Sequence, residues 1–158
     1  MKVICNTTPF IALSSIDQIG LLKEVYSSII VPRAVIKEIN EGGKIPVPDL
    51  TAFDWIEVIP NVTNFENRLL FQLDYGEQQV LLNALKLKPD LVLIDDKTAR
   101  NIAEYLGINV KGTLGVLVEA KRKGLISSFK KPAFKMKEHG IRFSEQLINE
   151  ISSTLEDS

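Results

Sequence analysis

The sequence predicts an α/β fold in which a mostly parallel sheet carries helices on both faces. Short apolar runs alternate along the chain with stretches of helical periodicity. A length of 158 residues suits one domain with a single two-layer or three-layer core. The run Leu91-Val-Leu-Ile94 ends in the adjacent acids Asp95 and Asp96, and a helical pattern follows at once. In open parallel α/β sheets ligands bind beyond the carboxyl ends of the strands, so acids placed there face a prospective site.

Lys2–Cys5 is expected as the first strand. Pro9–Ser15 follows as a helix, with Thr8 as cap and Pro9 in the first helical position. Asp17–Val25 is a second helical stretch and Ser28–Val31 the second strand. Pro32–Asn40 repeats the proline-led helix start, and Gly42-Gly43 closes it. Residues 42–54, rich in Pro and Gly, read as a mobile loop before the third strand, Trp55–Ile59. Tyr75–Leu87 is helical, with Val80, Leu81, Ala84 and Leu85 on one face. After the strand Leu91–Ile94, a helix over Lys97–Leu106 ends at Gly107, a C′ glycine. Ile108–Val110 is the fifth strand, and a helix over Thr113–Lys123 ends in the same way at Gly124. Basic, helix-forming sequence then leads to a turn at Gly140. A last amphipathic helix from Ser144 to about Leu155 puts Leu147, Ile148, Ile151 and Leu155 on one face, for packing on the chain's own core.

Composition excludes several classes of function. Cys5 is the only cysteine, so there is no intrachain disulfide, a reducing compartment is natural, and the thiol reads as a small buried hydrophobe. His139 is the only histidine and lacks metal-ligand partners, which argues against zinc chemistry and against a Ser-His-Asp triad. No signal-peptide-like start and no apolar run of about 18 residues are present, so the chain is expected to be soluble and cytoplasmic. Charge is balanced overall but not locally. Lys111–Arg142 holds nine Lys/Arg against Glu119 and Glu138, leaving the remainder acidic. That segment is either a solvated helical surface or a contact for a polyanion.

Polar residues at the strand ends each have a quiet explanation. Asn6 and Thr8 can cap a helix, Glu38 can sit on a helix surface, and Asp96 can cap the helix after the fourth strand. Asp74-x-x-Glu77 has capping-box spacing, with Asp in place of Ser or Thr. Taken together, acids from separate segments can converge at one edge of the sheet. Two carboxylates about 5 Å apart repel by roughly 3 kcal/mol at an effective dielectric near 20, unless a cation or a proton intervenes. Oxygen ligands of this kind suit Mg²⁺ or Mn²⁺, and such a site suits phosphodiester hydrolysis. No phosphate-binding glycine loop competes, since GxxxxGK[ST] is absent.

Five segments occur in an order that resembles PIN domains, the small nuclease fold of VapC-type toxins. They are Val3-Ile-Cys-Asn-Thr-Thr-Pro-Phe-Ile-Ala-Leu13, Ile30-Val-Pro-Arg-Ala-Val-Ile-Lys-Glu-Ile39, Asp74-Tyr-Gly-Glu-Gln-Gln79, Leu91-Val-Leu-Ile-Asp-Asp-Lys-Thr-Ala-Arg100 and Gly112-Thr-Leu-Gly-Val-Leu117. The resemblance is greatest to a prokaryotic PIN-like subgroup with Asn in place of the first acid. It covers about residues 1–125 and implies a three-layer α/β/α fold with a five-stranded, mostly parallel sheet. Residues 126–158 are then an extra helical extension packed on the same domain.

By the same resemblance Glu38, Glu77, Asp95 and Asp96 are catalytic, and with Asn6 they hold Mg²⁺ or Mn²⁺. Thr7, Arg100 and Thr113 position substrate, while Lys111, Lys121, Arg122 and Lys123 contact RNA. Asn6 departs from the family pattern: its amide oxygen can coordinate a cation but supplies no charge, and Asp95 can restore some of it. The implied function is a metal-dependent ribonuclease, the toxin of a toxin–antitoxin pair, with RNA, an antitoxin protein and a second copy of the chain as partners. The rival implied by Asn6 is a catalytically weak or inactive PIN-like module that binds RNA or a partner.

Overall fold

In a computed structural model, which describes residues 1–155, a five-stranded, entirely parallel sheet lies between helices. The strands are β1 (Val3–Cys5), β2 (Ile29–Pro32), β3 (Ile56–Ile59), β4 (Leu91–Leu93) and β5 (Val110–Lys111). Their order across the sheet is β3-β2-β1-β4-β5. The central strands β1, β2 and β4 are buried throughout, which explains their unbroken apolar runs. Register is set by Ile4 opposite Ile30 on one side and Val92 on the other. The chain leaves β1 in one direction and returns to its other side at β4. The crevice between β1 and β4 is therefore the topological switch point, where open α/β sheets bind ligands.

The helices are α1 (Thr7–Ser14), α2 (Leu21–Tyr26), α3 (Arg33–Asn40), α4 (Tyr75–Leu87), α5 (Lys97–Tyr105), α6 (Thr113–Arg122), α7 (Lys130–Glu138) and α8 (Glu145–Thr154). Several begin or end away from the expected places. The first helix starts at Thr7 with Asn6, not Thr8, as its N-cap, because the chain turns directly out of β1. Asp17 takes a left-handed φ of 54°, which breaks the second stretch and delays α2 to Leu21. Pro32 ends β2 and caps α3 rather than starting it. The fifth strand is displaced to Val110–Lys111, where it pairs with Val92 and Leu93.

One apolar cluster runs through the molecule, from Val3 and Phe10 to Phe129, Ala133, Met136 and Ile148. Helices α7 and α8 pack on each other and send those last four side chains into it. Cys5 is wholly buried, and its thiol donates to the Asn6 carbonyl at 3.2 Å. No helix among the described residues is long and apolar enough to cross a membrane. Residues 156–158, the end of the expected C-terminal extension, lie outside the described part.

Candidate functional site

Three segments meet at the carboxyl ends of β1 and β2. Asn6 follows β1, Glu38 stands on α3, and Asp74 caps α4. Their oxygens gather around Gly76. A Cβ there would lie 2.6 Å from Glu38 Oε2, 3.6 Å from Asp74 Oδ1 and 3.7 Å from Asn6 Oδ1. Glycine therefore lets the Glu38 carboxylate settle on the N-terminal turn of α4, where free backbone N–H groups favour negative charge. The Thr7 hydroxyl holds it there, donating to Oε2 at 3.1 Å. Asn6 Oδ1 is buried and has no hydrogen-bond partner, an arrangement that calls for an explanation in a folded protein.

Glu77 adjoins this group through a capping box. Its backbone N–H donates to Asp74 Oδ1 at 2.8 Å, and its own Oε1 accepts from the Asp74 backbone N–H at 3.1 Å. Burial pushes the Glu77 carboxyl up to about 7, the Asp74 N–H opposes this, and the charges of Asp74 and Asp96 add to the rise. Glu38 is raised as well: loss of hydration leads, the Thr7 hydroxyl opposes it, and Asp74 and Glu41 reinforce it.

The adjacent pair Asp95-Asp96 divides. Asp96 caps α5, accepting from the Ala99 N–H at 2.9 Å, and its charge reaches Glu77. Asp95 turns toward α6, where it accepts from the Thr113 N–H at 2.8 Å and the Thr113 hydroxyl at 2.6 Å. A Cβ on Gly112 would lie 2.7 Å from Asp95 Oδ1, so this acid too rests on a glycine-bearing helix start. Burial raises the Asp95 carboxyl, while Thr113 and the Arg100 guanidinium lower it. Arg100 Nε is buried without a partner. Thr113 is thus engaged by Asp95 through both its N–H and its hydroxyl.

The expected RNA contacts have local partners. Lys111 and Arg122 both pair with Glu119, at 3.6 and 3.3 Å. Lys121 Nζ donates to the Ser127 carbonyl and Lys123 Nζ to the Val25 carbonyl. Two residues of the site escaped sequence reasoning. Asp74 was visible as a cap, but its second contact, with the Glu38 group, crosses between helices. Gly76 carried a signal in principle, since glycine in the first turn of a helix costs stability unless something approaches closely.

The donor set fits a hard divalent cation in kind, being all oxygen with one buried orphan. It falls short in number. No group of three or more His, Cys, Asp or Glu side chains among the described residues is arranged to hold a metal ion.

Residues 2–157 match the family model described as DUF3368: PIN domain. A solved structure similar to the chain is a PilT N-terminus domain protein from the hyperthermophilic archaeon Sulfolobus solfataricus. It has 18% identity and a TM-score of 0.59 over 76% of this chain and 93% of that one, a likeness of fold. No curated protein gives a match.

Proposed function

The chain belongs to the DUF3368 family of PIN domains, and from that premise we propose that it is an RNA-binding PIN module whose hydrolytic activity is weak or absent. One observation carries the reading. Where the oxygens of Glu38 and Asp74 converge beyond β1 and β2, the third group is the neutral amide of Asn6, and among the described residues no three acids are arranged to hold a metal ion. The amide removes one negative charge from a site whose remaining acids already have raised proton affinities. Asp95 accepts two hydrogen bonds from Thr113, which fix its carboxylate at the start of α6.

The test is a pair of measurements on the purified protein. Calorimetric titration with Mn²⁺ should show weak binding or none, unchanged in Asp96→Asn. Labelled RNA should bind intact, with an affinity that falls as salt rises. RNA cleavage that requires Mn²⁺ and disappears in Asp96→Asn would overturn the reading.

A second reading has an observation of its own, the orphaned Asn6 Oδ1. In it the chain is a metal-dependent ribonuclease and the toxin of a toxin–antitoxin pair. Asn6, Glu38 and Asp74, with Glu77 and Asp96 nearby, would hold Mg²⁺ or Mn²⁺. The ion supplies the positive charge that phosphodiester hydrolysis needs. Glu77, with its carboxyl near 7, is suited to carry a proton. Asn6→Asp completes the acid set on this reading and should raise Mn²⁺ affinity and cleavage together.

A further inference from the structure

A cavity of about 990 Å³ opens between α3, the start of α4 and the loop after β3. It shares Glu38, Asp74 and Gly76 with the site above and extends away from them past Arg33, Lys37 and Tyr75. Glu41 also lines the cavity, so cations and acids share its wall. Arg33 and Lys37 are exposed on one face of α3, four residues apart, and make no ion pair or side-chain hydrogen bond among the described residues. Tyr75 is 53% exposed, with no ring contact and no partner for its hydroxyl.

The backbone around them is held firmly. The Ala34 N–H, near the start of α3, donates to Asn61 Oδ1 at 2.9 Å, and Asp74 caps α4 one residue before Tyr75. Arg33 and Tyr75 are the first residues of α3 and α4, and Lys37 lies one turn further along α3. Their chemistry is that of a nucleotide: a planar ring for a base to stack on, and cations for the phosphates on either side.

We infer that the Arg33–Lys37–Tyr75 cavity is a subsite for one unpaired nucleotide of single-stranded RNA, adjoining the Asn6–Glu38 site. The base stacks on Tyr75, and Arg33 and Lys37 contact the backbone that leads into the site. A paired base in a duplex cannot present its face to a side chain, so the subsite selects single strands. This inference rests on the RNA-binding reading above and assigns the residues that carry it.

The test is fluorescence anisotropy in EDTA with three labelled probes: a single-stranded RNA, the same RNA carrying abasic spacers, and its duplex. Tyr75→Ala should weaken the single strand by about 5- to 150-fold, the range of one base–aromatic stack, and leave the other two probes nearly unchanged. Tyr75→Phe should bind like the wild type, because the ring and not the hydroxyl acts. Arg33→Ala and Lys37→Ala should each lower the slope of log affinity against log salt by about one. Both side chains are exposed, so these variants test the proposal even if Tyr75→Ala were to disturb α4. If the wild type binds the single strand and Tyr75→Ala binds it equally well, the subsite is wrong and the RNA-binding reading stands. A wild type that binds no RNA overturns both.

Discussion

Asn6 and Gly76 decide the character of the site more than any acid does. Gly76 admits the Glu38 carboxylate to the start of α4, and Asn6 meets it there with an oxygen that has no partner in the protein. Burial, reinforced by neighbouring acids, raises the proton affinity of Glu38 and Glu77, and this is measurable through Glu77. Its folded carboxyl titrates at about 7 against an ordinary 4.5. Between those values the folded state binds more protons than the unfolded, so stability falls as pH rises through this window. Glu77→Gln keeps an oxygen acceptor for the Asp74 N–H but carries no charge. Its melting temperature should match the wild type near pH 4 and exceed it near pH 8; equal slopes would show that Glu77 is not the strained group. Asn6, Glu38, Glu77 and Asp96 could be picked out of the sequence as polar residues at strand ends or helix starts. That Asp74 lies with Glu38 and Asn6 around Gly76 follows from distances between segments far apart in the chain.

Helix starts are the elements on which the site is built, and several are capped from a distance. Asp74 and Asp96 cap their own helices, and both spacings could be read directly. The N-terminus of α3 is instead served by Asn61, and that of α6 by Asp95. Neither has a signature, because the partners are 27 and 18 residues apart. Thr113 is fully buried, so losing its acceptor leaves both its N–H and its hydroxyl without a partner. Asp95→Ala should cost about 1–3 kcal/mol in urea denaturation and expose the Thr113 amide to hydrogen exchange. A change within the error of measurement would mean that Asp95 is held for chemistry and not for α6. Boundaries moved for related reasons: Thr8-Pro9 looks like a helix start, yet the turn out of β1 already begins the helix at Thr7.

The whole molecule is one core, to which the C-terminal helices contribute. Phe129 and Met136 on and beside α7 are wholly buried with Ile148 of α8. We expect the segment from residue 126 onward to unfold with the rest. Phe129→Ala should cost about 3–5 kcal/mol and leave a single transition; an early separate transition would show the helices to be an independent appendage. The basic stretch Lys111–Arg142 illustrates how folding redistributes charge. Lys111, Arg122 and Lys123 are drawn into local contacts, whereas Arg33 and Lys37 stand unpaired beside the main cavity. The alternation of buried strands and helices and the parallel sheet were both written in the order of residues. They depend on local periodicity and turn preference, which act over a few positions. Which acids share one pocket, which cations remain free, and which oxygen is left without a partner depend on where strand order brings distant segments together. For this chain, that placement brought Asn6, Glu38 and Asp74 together around Gly76 and tied Asp95 to Thr113 at the start of α6.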